Sequence, residues 1–310
     1  MWRKEAILKR LPLAIAPGLL LLSSAFSSAQ YANVNTPARQ DTEDIARTTE
    51  VKNLTYLSIG GQDLQLDVYK NPHAGPAPVL VYFHGGGWWK GSRPLSYGSF
   101  RPFIRMGFSV VSVDYRLTGV APAPAAVQDA RCALSWIKKN AATYGFDTSR
   151  IVVYGTSAGG HLALMSGVLP TSAGVDLPQC QDQPAVAAVL NFYGIADLTD
   201  LLKPEHQRSW AARWLGNGDA SDRADLARRM SPISYVRTGV PPVLTVHGDS
   251  DPTVPYAQAV ALKRALDREK VPNELFTVPG GAHGKFDDQQ KLAIENAIRQ
   301  FLIQHGVLRR

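Results

Sequence analysis

The rhythm of apolar and polar positions changes near residue 79. Before it, residues 54–59 and 64–69 alternate apolar with polar side chains on either side of Gly60-Gly61. Alternation marks a half-buried strand, and a Gly-Gly pair between two such runs predicts a hairpin. Residues 71–78 form a Pro/Gly loop. From residue 79 onward the apolar runs are continuous, at 79–83, 108–113, 151–154, 186–192 and 243–247. Such runs suit strands covered on both faces. A shorter strand is expected at 274–278. Between the strands lie helical spacings. Residues 127–140 place Val127, Ala130, Leu134 and Ile137 on one face, and 161–167, 256–269 and 287–304 also read as helices. Buried strands alternating with helices predict an α/β domain. Its sheet is mostly parallel and doubly wound, with the hairpin as an antiparallel N-terminal edge.

One stretch breaks the alternation. Residues 197–239 are rich in charge, contain Trp210 and Trp214, and look helical in pieces. An insertion there lies above the C-terminal ends of the strands, where sheets of this kind bind ligands. A small cap is therefore expected at about 197–240. No internal repeat or low-complexity segment is present.

The N-terminus changes the picture of the whole chain. Arg3, Lys4, Lys9 and Arg10 precede an apolar run at 11–22, which is followed by the small residues of Ser23 to Ala29. This is the layout of a secretory signal, with cleavage expected after Ala29. The apolar run is short for a bilayer span. The expected organisation is a signal peptide at 1–29, a flexible lead-in at 30–53 and one domain at 54–310. The expected location is secreted or periplasmic, with no stable membrane span after cleavage. The 310 residues and 45% hydrophobic content are ample for one full core. Of the formal net charge of +7, the signal segment carries +3. The remaining Lys and Arg are scattered, with no basic stripe interleaved with aromatics, so nucleic acid is not an expected partner. Composition does not set the oligomeric state.

Cys132 and Cys180 are the two cysteines. In an oxidising compartment they form a disulfide or remain as two buried thiols, and the sequence leaves both readings open. Neither stands at metal-ligand spacing from another Cys or a His, and no metal or organic cofactor is expected.

The candidate chemistry centres on residues 151–161. A strand pattern stops at Gly155, and a helix-permitting segment follows Ser157. Gly155-Thr156-Ser157-Ala158-Gly159 has the G-x-S-x-G spacing of a nucleophile elbow. A sharp strand-to-helix turn strains the serine and leaves no room for bulk two residues away, hence the glycines. It presents the hydroxyl at a helix N-terminus, where free N–H groups favour negative charge.

Three further segments accompany the elbow in order: His84-Gly85-Gly86-Gly87-Trp88, His247 to Pro255 (HGDSDPTVP), and Gly280-Gly281-Ala282-His283. Together with Gly155 to His161 they resemble the α/β-hydrolase superfamily. The resemblance is to its esterase/lipase branch with the His-Gly-Gly-Gly motif, including hormone-sensitive-lipase-like enzymes and bacterial acetyl-xylan or feruloyl esterases. It covers residues 79–290.

The resemblance implies Ser157 as nucleophile, Asp251 as acid and His283 as base. It implies an oxyanion hole from the backbone N–H groups of Gly86, Gly87 and Ala158. The other downstream histidines have structural readings: His161 points away from Ser157 by helical geometry, His206 lies in the cap, His247 shapes the acid loop, and His305 is near the C-terminus. Asp249 competes with Asp251 but is expected to brace the loop, and Asp197 to structure the cap entrance. Trp88, Trp89 and Tyr193 either line the pocket or pack in the core. The implied activity is a secreted serine carboxylic-ester hydrolase acting through an acyl-enzyme. Small acyl or aryl esters, such as acetyl or feruloyl decorations of polysaccharides, are the expected substrates. The alternatives are an amide hydrolase on the same triad, such as an arylformamidase or peptidase, and a non-catalytic binding protein of the same fold.

Overall fold

The structure, a computed structural model, describes residues 47–73, 75–93 and 97–309. The expected signal segment 1–29 and most of the lead-in lie outside the described residues. Eight strands form one sheet: β1 (Thr49–Ile59), β2 (Gln62–Lys70), β3 (Ala77–Phe83), β4 (Ser109–Val113), β5 (Phe146–Thr156), β6 (Ala188–Phe192), β7 (Val243–Gly248) and β8 (Asn273–Val278). Their spatial order is β1-β2-β4-β3-β5-β6-β7-β8. β1 pairs antiparallel with β2, and β2 antiparallel with β4. Every later pairing is parallel.

The expected α/β sheet with an antiparallel edge is therefore the fold. Every position of β3, β4, β6 and β7 is buried, which is why those runs carry no polar face. In β3, Val79, Val81 and Phe83 enter one core cluster, while Leu80 and Tyr82 enter the other. The period-two alternation of a strand thus feeds both faces.

Helices cover each face. The first cluster takes residues from α2 (Ala125–Lys139), α4 (Ala158–Val168) and α7 (Ala257–Arg268). The second takes Phe100, Phe103 and Ile104 of α1 (Tyr97–Arg105), and Ile294, Ile298 and Phe301 of α8 (Asp288–Gln304). α8 starts at a capping box, with Asp287 as N-cap and Gln290 reaching back. A short helix, α3 (Ala141–Tyr144), precedes β5.

Two of the differences from expectation have a local cause. β1 begins at Thr49, ahead of the expected start at Leu54. Register shifts between Val51 and Leu54, with Asn53 at φ 58°, interrupt the alternation, so the pairing of residues 49–51 is hidden from a period-two reading. α1 occupies a stretch with no expected element. Pro102 within it removes a backbone donor and blurs the helical signature, although Phe100, Phe103 and Ile104 sit at i, i+3 and i+4.

The connection between β6 and β7 holds a 3-10 turn at Asp200–Leu202, α5 (Ser209–Leu215), α6 (Ala220–Arg229) and a second 3-10 turn at Pro232–Tyr235. This is the stretch read as a cap. Leu201, Ala211, Trp214, Leu215, Ala227 and Met230 are buried and join the main core cluster. Among the described residues no helix is long and apolar enough to cross a membrane.

The open question about the cysteines is resolved in favour of pairing. Cys132 of α2 and Cys180 form a disulfide with a Cα–Cα distance of 4.8 Å, packed against Leu57 and Leu64 of the hairpin. Closing a 48-residue separation restricts the unfolded chain. The Cys132→Ser/Cys180→Ser double variant is expected to lose up to about 4 kcal/mol of unfolding free energy. Urea midpoints with and without reductant check this: reductant lowers the wild-type midpoint and leaves that of the variant in place.

Candidate active site

Ser157 stands between the end of β5 and the start of α4, at φ 55° and ψ −118°. A β-carbon on Gly155 would collide with the Gly159 carbonyl, and one on Gly159 with the Phe83 carbonyl. The two glycines are thus a steric condition of the turn. Its geometry is locked by Ser157 N–H donating to Phe192 O (2.8 Å) and His161 N–H donating to Ser157 O (3.1 Å). Strain at a residue overdetermined in this way is characteristic of a functional position.

The loops after β7 and β8 bring two partners to the serine. Asp251 Oδ1 accepts from the N–H groups of Thr253 (2.7 Å) and Val254 (3.0 Å), and Oδ2 lies 2.7 Å from His283 Nδ1. A carboxylate can only accept, so Nδ1 carries the proton and Nε2 keeps its lone pair. That lone pair faces the Ser157 hydroxyl at 2.9 Å. Burial pushes the Asp251 carboxyl up. The hydrogen bonds from His247 and His283, the His283 charge and the Val254 N–H outweigh it, and they hold the group well below the usual carboxylate range.

Asp249 faces away from this chain of contacts. Its Oδ1 accepts from Gly280 N–H (2.8 Å) and Ser250 Oγ (3.1 Å), so it ties the two loops together, as expected of a brace. His247, fully buried, donates from Nε2 to Val254 O (3.0 Å) and lies 3.3 Å from Asp251 Oδ2, which shapes the acid loop. Asp197 accepts from Thr199 N–H (2.9 Å) and Thr199 Oγ1 (2.5 Å) at the entrance to the β6–β7 connection. His206 contacts Asp200 there, and His305 caps the end of α8.

The glycine loop after β3 lines the same cavity. Gly86 (φ 119°) and Gly87 (φ 60°) adopt conformations that suit glycine, and a β-carbon on Gly86 would collide with the Lys90 carbonyl. The loop turns on Gly86 O, which accepts from Trp89 N–H and Lys90 N–H, both at 3.2 Å. It is held from behind. Tyr115 Oη donates to His84 O (2.8 Å), His84 Nδ1 donates to Gly85 O (2.8 Å), and Thr118 N–H donates to Trp88 O (2.8 Å). Burial lowers the pKa of His84 against the opposing effects of Gly85 and Asp114, which favours the neutral ring. Ala158 is the first residue of α4, so its N–H has no intrahelical acceptor.

A cavity of about 510 Å³ joins these groups, lined by the glycine loop, Ser157, His283, Thr156, Tyr193, Trp89, Lys90, Trp210, Thr253 and Gly284. The three aromatics left undecided by sequence divide. Trp88 is fully buried and stacks on Trp214 at 4.2 Å, so it is core. Trp89 and Tyr193 line the cavity, the latter edge-on to the His283 ring at 4.7 Å. Trp210, Lys90, Thr156 and Thr253 line it without having been singled out. The Trp content of residues 197–239 was the signal available for Trp210. Among the described residues no group of three His, Cys, Asp or Glu side chains is placed to hold a metal ion.

His161 turns away from Ser157, as helical geometry required. Its Nε2 donates to Met230 O (2.7 Å), and its ring packs edge-on to Trp88 and Trp214. Burial lowers its pKa from 6.5 to about 4, against the upward effect of the Met230 bond. The unfolded chain takes up this proton near pH 6.5 and the folded chain only near 4. The contribution is therefore fully present above pH 6.5 and is lost as pH falls through that window. A loss of roughly 3 kcal/mol is expected. Urea midpoints between neutral and acidic pH check it: His161→Gln should show a shallower slope than wild type, and an equal slope would remove His161 from this role.

Comparison with known proteins agrees with this layout. The BD-FAE family model matches residues 66–266. Esterase LipQ of Mycobacterium tuberculosis is 31% identical over 233 residues, covering 74% of this chain and 55% of LipQ. Esterase LipC of the same organism is 33% identical over 229 residues, covering 71% and 56%. The chain thus spans about half the length of these curated relatives. A truncated carbohydrate esterase from gut microbiota superposes with a TM-score of 0.70 at 28% identity, covering 84% of this chain and 98% of that one. The propionate-bound esterase Est2 of Thermogutta terrifontis gives 0.71 at 26%, covering 86% and 97%. By its matched family model and its eight-stranded fold, the chain belongs to the BD-FAE family of α/β-hydrolases.

Proposed function

We propose that the protein is an exported serine carboxylic-ester hydrolase that works through an acyl-enzyme. The observation that carries this reading is the continuous path from Ser157 Oγ to His283 Nε2 (2.9 Å) and from His283 Nδ1 to Asp251 Oδ2 (2.7 Å), opening onto a cavity. Ser157 Oγ attacks the ester carbonyl while His283 Nε2 takes its proton. The tetrahedral oxygen forms against the N–H groups of Gly86, Gly87 and Ala158, where each donor is typically worth about 3 kcal/mol of transition-state stabilisation. His283 then gives the proton to the leaving alkoxide, and the alcohol departs. Water, deprotonated by the same nitrogen, adds to the acyl-enzyme and releases the acid and free Ser157. Asp251 keeps the Nδ1 proton in place and stabilises the imidazolium.

The substrates are small acyl or aryl esters, such as acetyl or feruloyl decorations of polysaccharides. Two features support this: the cavity's walls of Trp89, Trp210 and Tyr193, and the structural neighbour described as a carbohydrate esterase. Export is supported by the signal layout of residues 1–29 and by the Cys132–Cys180 disulfide. A panel of p-nitrophenyl acetate, methyl ferulate, acetylated xylan and N-formyl amides tests the reaction, with Ser157→Ala as blank. Turnover of amides without turnover of esters would overturn it. Protein recovered outside the cytoplasm should begin at residue 30.

A further inference from the structure

We infer that Trp88, packed against Trp214 and His161, is a positioning residue that sets the distance between the two halves of the oxyanion hole. The inference rests on the ester-hydrolase reading for the charge the hole meets, and it places a determinant of that reaction outside the cavity.

The two halves belong to different elements. Gly86 and Gly87 lie on the loop after β3, and Ala158 is the first residue of α4. The hole works only when its N–H groups converge on one oxygen. Backbone packing fixes the halves against each other at the root of the loop. A β-carbon on Gly85 would stand 3.0 Å from Thr156 O, and one on Gly159 2.7 Å from His84 O. Beyond that root come two glycines, whose backbone has little preference of its own. Where their N–H groups point is decided by the next fixed residue, and that residue is Trp88.

Trp88 continues the positive φ of its neighbours, at 60°, although its side chain makes that conformation costly. Several contacts hold it there. Its carbonyl accepts from Thr118 N–H (2.8 Å) and Thr118 Oγ1 (3.0 Å). Its indole is fully buried and stacks on Trp214 of α5, with centroids 4.2 Å apart and planes inclined by 14°. The His161 ring meets both indoles edge-on, at 5.1 Å from Trp88 and 5.2 Å from Trp214, which is a favoured aromatic geometry.

His161 brings the second half of the hole into the same cluster. It stands on α4 one turn from Ser157, to whose carbonyl its N–H donates, and its Nε2 donates to Met230 O just beyond α6. The glycine loop, the nucleophile helix and the β6–β7 connection therefore meet in one set of three rings. Neither Trp88 nor Trp214 lines the cavity, so the cluster acts on the reaction through Gly87 and Ala158 and not through contact with substrate.

Trp214→Leu removes the stacking surface and leaves the loop and the cavity lining in place. It is expected to lower kcat for p-nitrophenyl acetate about 30-fold while KM changes less than about threefold. A trifluoromethyl ketone, whose adduct with Ser157 carries the oxyanion, should bind more weakly by the same factor. Trp214→Phe keeps a flat ring and should stay within about threefold of wild type. Trp88→Gly separates the indole from the backbone. Glycine accepts a positive φ freely, so a loop held by φ alone would keep its kcat, whereas a loop held by the indole loses about 30-fold or more. Melting curves establish that each variant is folded, and Trp214→Met, with the same expectation, replaces a Trp214→Leu that does not fold.

Hydrogen exchange reads the loop without catalysis. Trp89 N–H and Lys90 N–H close the turn on Gly86 O. In Trp214→Leu they should exchange at least about tenfold faster, with the amides of α8 unchanged. Unchanged exchange in the loop, unchanged kcat in Trp214→Leu, wild-type kcat in Trp88→Gly, or a loss in KM alone would overturn the inference. A wild-type protein that hydrolyses no ester, with faster loop exchange in Trp214→Leu, would remove the hydrolase reading and keep Trp88 as the anchor of the loop.

Discussion

Ser157→Ala is expected to lower kcat for p-nitrophenyl acetate by about 10⁵- to 10⁶-fold and to abolish labelling by a fluorophosphonate. The size of the effect follows from the chemistry removed. Without Oγ there is no atom to form the acyl bond, and the Nε2 lone pair of His283 is left with no proton to take. The loop amides and the cavity remain, so substrate still binds and a residual rate persists from oxyanion stabilisation alone. The fold should be nearly unaffected. Alanine meets the same positive φ as serine, and the backbone bonds from Ser157 N–H to Phe192 O and from His161 N–H to Ser157 O do not use the hydroxyl. An unchanged melting temperature with lost activity is the expected pair of results. A rate within tenfold of wild type would mean that the nucleophile is elsewhere.

Asp251→Asn is expected to cost about 10⁴-fold in kcat, and Asp249→Asn less than about tenfold. Both carboxylates lie in one loop, two residues apart, and differ in what they face. Asp251 Oδ2 accepts the Nδ1 proton of His283, while Oδ1 is occupied by Thr253 and Val254. An asparagine that keeps the two backbone bonds to its oxygen must present its NH₂ to His283. Two donors then face each other, the ring adopts the other tautomer, and Nε2 carries a hydrogen where a lone pair is needed. Asp249 accepts from Gly280 N–H, and an asparagine oxygen can accept in the same way. Comparing the two variants by kcat separates an orienting acid from a brace, and the reverse order of effects would exchange the roles. The depressed pKa of Asp251 also means that the carboxylate stays ionised through mildly acidic pH, so the acid limb of the activity profile should not follow its titration.

How much of the site was legible depended on whether its parts are local. The elbow was legible because its condition is steric and short-range: Gly155 and Gly159 must lack side chains for the turn around Ser157 to close. The glycine loop and the Asp251 and His283 segments were legible through their resemblance to the motifs of the α/β-hydrolase superfamily, each standing at the end of an expected strand. The cavity wall was less so. Trp88 and Trp89 are identical neighbours in sequence, and nothing in their spacing says that one stacks in the core on Trp214 while the other meets solvent. Trp210 reaches the cavity from a helix in the β6–β7 connection, a distance in sequence that no local pattern spans.

By itself the sequence determined the alternation of strands and helices and the position of the nucleophile candidate, while the order of its partners along the chain followed from the resemblance to the α/β-hydrolase superfamily. Strand burial and sharp turns leave their mark on neighbouring residues, so periodicity and glycine placement report them directly. Tertiary structure alone decided that Cys132 meets Cys180, that Trp88 packs in the core while its neighbour Trp89 meets solvent, and that Lys90 and Arg213 share one indole. These are contacts between residues far apart in the chain, or choices between adjacent identical side chains. They are set by how the sheet and its helices pack, which no local pattern encodes.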